Sequence, residues 1–112
     1  MAGTNIWALD KHESIKHLLL MLEHHFASNS YVIDTNTPTD PCAIFLCHRN
    51  EPGMRAYLYT LGQGVERYGV QLEFPSSAIA LETYENLTFN YLTEILGVHL
   101  DSMPEESEII QE

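Results

Sequence analysis

The apolar positions in the first third of the chain repeat with a helical period. Ile15, Leu18, Leu19, Leu22 and Phe26 fall within an arc of roughly 100° when wound at about 100° per residue. Asp10 is placed to act as N-cap, with Glu13 three residues later in the capping-box position. The pattern predicts a helix running to about Phe26 or Ala27 and stopped by Ser28-Asn29-Ser30.

The period then changes to that of strands. Tyr31-Val32-Ile33 is a short β-forming run, followed by the polar, proline-containing loop DTNTPTDP over residues 34–41. Residues 42–48 are apolar at nearly every position, as in a strand covered on both faces. After the turn Asn50-Glu51-Pro52-Gly53, residues 54–61 put Tyr57, Tyr59 and Arg55 on one side and Ala56, Leu58 and Thr60 on the other. Gly62-Gln63-Gly64 turns the chain back. Residues 67–74 then alternate, with Tyr68, Val70, Leu72 and Phe74 inward and Arg67, Gln71 and Glu73 outward. Short turns between these runs predict an antiparallel meander.

Pro75-Ser76-Ser77 breaks the last strand. Thr83 suits an N-cap, and Glu85 then lies in the first turn of a helix, where the dipole favours an acid. Over residues 84–96 that helix would gather Tyr84, Leu87, Tyr91, Leu92 and Ile95 on one face and turn Asn86, Asn90, Thr93 and Glu94 to water, with Gly97 at C′. The order α-β-β-β-β-α predicts an α+β fold: a four-stranded antiparallel meander flanked by an N-terminal and a C-terminal helix in a two-layer sandwich. Residues 1–100 form the single domain in this reading, and residues 101–112 an acidic, mobile tail.

Composition supports a packed domain: 45 % of the 112 residues are hydrophobic. Charge changes the picture more. All five bases (Lys11, Lys16, Arg49, Arg55, Arg67) and seven acids lie in the first 67 residues. The last 45 residues carry nine acids and no base, and hence −9 of the net −11. Such a field repels nucleic acid and anionic lipid and attracts basic partners. Four of these acids lie beyond Pro104, and Asp101 is at the root of the tail; Glu73, Glu82, Glu85 and Glu94 are the four that a fixed surface could use.

The start of the chain lacks a basic region followed by an apolar run, and apolar runs such as residues 18–22 are far too short to span a bilayer. A cytosolic, membrane-free protein is expected. Cys42 and Cys47, five apart, would lie on opposite faces of a strand, which disfavours a disulfide and fits reduced core thiols.

Candidate chemistry is sparse. Of the six histidines, His17 and His24 share one side of the first helix, but seven residues separate them by roughly 10 Å along its axis, too far to share an ion. Cys42, Cys47 and His48 lack the second pair that a zinc site uses. Gly62-x-Gly64 lacks a third glycine and precedes a strand, so it reads as a hairpin turn rather than a phosphate loop. No cofactor, metal or catalytic motif is expected.

The expected function is therefore non-catalytic binding. Acids that coexist with Tyr57 and Tyr59, side chains suited to a specific interface, point to an acidic inhibitor of a basic protein. An immunity or antitoxin-like blocker of a toxin or nuclease fits this profile best. The expected contact set is Glu73, Glu82, Glu85, Glu94, Tyr57 and Tyr59 on a monomer or homodimer. A DNA-mimic regulator of a nucleic-acid-binding protein and an acidic homodimeric chaperone or adaptor are the alternatives. An enzyme would rest only on the histidines and the two cysteines.

Overall fold

The computed structural model describes residues 5–75 and 82–104. Their elements are α1 (Glu13–His25), β1 (Tyr31–Asp34), β2 (Ala43–His48), β3 (Arg55–Tyr59), β4 (Tyr68–Glu73), β5 (Glu82–Leu87) and α2 (Phe89–His99), with one 3-10 turn at Ile6–Ala8. The strands pair in sequence order, each antiparallel to the next. The fold is thus α+β, an up-and-down antiparallel sheet with a helix near each end of the chain. No helix of the described residues is long and apolar enough to cross a membrane.

The helices share one face of the sheet. Ile15, Leu18, Leu19 and Leu22 of α1, with Leu92 and Leu96 of α2, join a single core with Ile44, Leu46, Ala56, Leu58, Val70 and Leu72. The register explains why these sheet residues face together. Ile44 is opposite Leu58 and Leu46 opposite Ala56, and Ala56 and Leu58 are in turn opposite Leu72 and Val70. Each of the large aliphatics among them, taken fully out of water, contributes about 1.5–3 kcal/mol.

The start of α1 differs from the sequence expectation. The cap of α1 is His12, whose Nδ1 accepts from the Ser14 backbone N–H at 3.0 Å, and not Asp10, which is exposed. The tie of the His12 N–H to the Pro41 carbonyl at 2.9 Å sets where the helix begins.

The larger difference is a fifth strand. Residues 82–87 pair with β4, so Glu82, Tyr84 and Glu85 lie on a strand, and the cap of α2 lies five residues after the expected Thr83. The cap is Thr88, whose hydroxyl oxygen accepts from the Tyr91 N–H at 3.3 Å. Residues 82–87 could follow either period; pairing with β4 satisfies a row of backbone groups there, and this outweighs the weak local preference for helix. The face of α2 shifts accordingly. Leu92, Thr93, Leu96 and His99 are buried, while Tyr91 is exposed, so Tyr84 and Tyr91 do not share a helix face.

Gly97 lies inside α2 rather than at its end. Asp101 takes the left-handed C′ position with φ 51°. The Ser102 N–H donates to the Gly97 carbonyl at 3.0 Å and the Asp101 N–H to that of Val98 at 3.4 Å, the paired bonds of a Schellman ending. Residues 101–104 continue into the body. Buried Ser102 donates to the Ser30 carbonyl at 3.1 Å, the Ala27 N–H donates to the Met103 carbonyl, and Arg49 donates to the Asp101 carbonyl at 2.7 Å. Residues 105–112, the rest of the expected tail, lie outside the described residues.

Candidate functional site

With α1 and α2 on one side, the other face of the sheet carries no helix among the described residues. Its strand positions follow from period 2. Val32 and Asp34 come from β1, Phe45 and Cys47 from β2, Arg55, Tyr57 and Tyr59 from β3, Gly69, Gln71 and Glu73 from β4, and Thr83 and Glu85 from β5. Carboxylates on this face come from Asp34, Glu73 and Glu85, and the guanidinium from Arg55.

Two groups of side chains stand next to each other on this face. In the first, the Arg55 guanidinium lies 3.8 Å from the centroid of the Phe45 ring. Its Nε and Nη2 donate to Glu73 Oε1 at 2.9 and 2.7 Å, and its Nη1 is 3.7 Å from Asp34 Oδ2. Phe45 is consequently only 8 % exposed although no helix covers it.

The second group begins at Tyr57, whose ring is 5.0 Å from Phe45 and 5.8 Å from Tyr59. The Tyr59 ring crosses β4 to reach β5, where its hydroxyl donates to Glu85 Oε2 at 2.6 Å. Gly69, directly opposite Tyr59, makes that crossing possible: a Cβ there would lie 2.3 Å from the ring. On the far side the β5 register slips. Tyr84 is opposite Val70 and Leu87 opposite Tyr68, so Glu85 and Asn86 together face Gly69, a β-bulge. Asn86 adopts φ 59°, and its N–H donates to Gln63 Oε1 at 2.6 Å. The bulge turns Glu85 toward the tyrosine. Burial first, and then the Glu85 carboxylate, push the Tyr59 phenol up to about 12, so it stays a protonated donor.

Between these side chains lies an open cleft of about 290 Å³. Its lining is Asp40, Ala43, Tyr57, Tyr59, Leu61, Gln71 and Glu85. Asp40 stands on the loop before β2, held as its Oδ1 accepts from the Cys42 N–H at 2.8 Å, and Lys11 donates to the Asp40 carbonyl at 3.1 Å. No ion pair among the described residues engages Glu85 or the Asp40 carboxylate. No family model, curated protein or solved structure matches the chain.

The expected contact residues divide between two sides of the molecule. Tyr57, Tyr59, Glu73 and Glu85 share the helix-free face, where Glu73 is already matched by Arg55. Glu82 and Glu94 line a different hollow of about 420 Å³ between β5 and α2, with Leu72, Phe74, Tyr84, Ile95, Val98 and His99. There the Tyr84 hydroxyl donates to Glu82 at 3.1 Å, and His99 Nε2 lies 2.9 and 3.0 Å from the Arg55 and Glu73 carbonyls. Both neighbours are acceptors, so Nε2 carries the proton.

Both cysteines are free and half-buried, and burial, followed by the nearby Asp34 charge, raises the Cys47 thiol further from ionisation. Among the described residues no three histidines, cysteines or acids stand close enough to hold a metal ion.

Asp40, Ala43, Leu61 and Gln71, which complete the cleft, and Gly69, under the Tyr59 ring, were not among the expected contacts. Gly69 left a trace: a glycine within an otherwise clean strand alternation marks a close approach of another group. Asp40 left none, because only the fold of the 34–41 loop brings it beside Tyr59.

Proposed function

We propose that this protein is a non-catalytic acidic binder that engages a basic protein through the helix-free face of its sheet, in the manner of an immunity or antitoxin-like inhibitor of a toxin or nuclease. The observation that carries the reading is the Tyr59–Glu85 pair. An aromatic ring and a carboxylate are held together across three strands, over a glycine, beside an open cleft that also has Tyr57 and Asp40. Tyrosine supplies broad contact area with little loss of rotamer freedom, and the carboxylates select for positive charge and speed encounter. The ordered aromatic centre favours a specific protein partner over plain mimicry of a phosphate backbone. Net charge of −11 disfavours a second copy of the same chain as occupant, because acids would meet acids.

The test is affinity capture from the native extract at low and high salt, with wild type, Glu85→Lys and Glu94→Lys as baits. The expected result is a basic protein retained by wild type and Glu94→Lys at low salt, released at high salt and lost with Glu85→Lys. Its own activity should fall on adding a stoichiometric amount of the wild-type protein. Capture indifferent to Glu85→Lys, or no basic protein at all, overturns the reading.

A further inference from the structure

We infer that the cleft beside Tyr59 is a seat for a single guanidinium, so that the partner presents an arginine rather than a lysine at the centre of the contact. This rests on the binding reading above and gives its face an anchor. The argument comes from the first group of side chains on the same face. There, a guanidinium lies over an aromatic ring (Arg55 on Phe45, 3.8 Å) and is held from one side by a carboxylate (Glu73, 2.7 Å). One step along β3 the same components recur: the Tyr57 and Tyr59 rings, 5.8 Å apart and tilted by 36°, with the acidic residues Glu85 and Asp40 lining the same cleft. The second station has the ring and the acid, and no base of the described residues is paired with its carboxylates.

Shape and preorganisation favour guanidinium. It is planar, weakly hydrated and able to stack on a ring while its forked N–H groups meet a carboxylate; an ammonium is a compact, strongly hydrated point. Glu85 Oε2 accepts from the Tyr59 hydroxyl, and its other oxygen, Oε1, accepts no hydrogen bond among the described residues. Gly69 holds the arrangement ready, since the Tyr59 ring can lie flat toward Glu85 only over a residue without a side chain. Lys11 reaches the loop but binds the Thr39 hydroxyl and the Asp40 carbonyl, outside the carboxylates.

The experiment is a titration of the 15N-labelled full chain with N-acetyl-arginine amide and, separately, N-acetyl-lysine amide, followed by amide chemical shifts. Saturable shifts centred on Tyr57, Tyr59, Gln71 and Glu85 are expected, at millimolar ligand and at least several-fold tighter for arginine. Glu85→Gln should weaken arginine binding about tenfold, and Gly69→Ala, which displaces the Tyr59 ring, should abolish the preference over lysine. Glu94→Gln, on the other side of the molecule, should change nothing. Should Gly69→Ala fail to fold, Glu85→Gln alone decides. Equal response to both cations, shifts that survive Glu85→Gln, or none in the cleft overturn the inference. Capture of a basic partner that is sensitive to Glu85→Lys, in a protein whose cleft ignores arginine, would remove the anchor and leave the binding reading. A cleft that takes arginine in a protein that captures no basic partner would do the reverse.

Discussion

Asp34 shows how much one side chain can organise. It ends β1 and starts the polar loop, where its Oδ2 accepts from the Thr37 hydroxyl at 2.6 Å and its Oδ1 from the Asn36 and Thr37 N–H groups at 2.8 and 3.1 Å. The Thr37 hydroxyl, then the two backbone donors and Arg55, hold the carboxyl below the usual carboxylate range despite partial burial. The unfolded chain therefore binds a proton at higher pH than the native one, and Asp34 stabilises the fold above its unfolded pKa of about 3.9. That stabilisation disappears as pH falls through the lower native value. Asp34→Asn should lower stability by about 1.5–3 kcal/mol at neutral pH, the range expected for hydrogen bonds to a charged group. Denaturation curves of wild type and variant should converge in strong acid; a constant gap across the acid range would contradict this account.

Among the secondary-structure elements, the stretch from β5 to α2 separates local from long-range causes. Thr83 and Thr88 are both acceptable caps, and the two possible helices differ by five residues in where they start. The pairing of β5 with β4 selects Thr88. Thr88→Ala should then cost about 1 kcal/mol, as loss of an N-cap usually does, whereas Asp10→Ala, at the expected but unused cap of α1, should shift thermal unfolding hardly at all. An equal loss from both would mean that the caps contribute little. The same pairing moves Glu85 from a helix turn to a bulge beside Tyr59. It also explains why Glu82 and Glu85, near neighbours in the chain, face opposite sides of the sheet, and why Glu82 is absent from the cleft.

At the scale of the whole molecule, one core carries charge distributed unevenly around it. No base follows Arg67 in the chain, and Glu82 of β5 and Glu94 of α2 border the same hollow. Self-repulsion of a net −11 chain is screened within a Debye length of about 8 Å at physiological salt. Raising sodium chloride from about 0.01 M to 0.15 M, where that length shrinks from about 30 Å, should raise the melting temperature. A melting temperature independent of salt would show that the acids are too dispersed to repel.

What the chain specified locally is its alternation. Ile15 to Phe26 repeats with the helical period, and Ala56, Leu58, Val70 and Leu72 repeat with the strand period, because burying an apolar stripe needs that spacing whatever the neighbours are. The α+β class, the inward set of β3 and β4, and the shared side of Tyr57 and Tyr59 all follow from it. Pairing and proximity are of another kind. The fate of residues 82–87 depended on an edge of β4 that needed hydrogen bonds. The cleft depended on Asp40, Tyr59, Gly69 and Glu85 converging from four separate segments. Periodicity records which side of its own element a residue occupies; it carries no term for what another element places beside it.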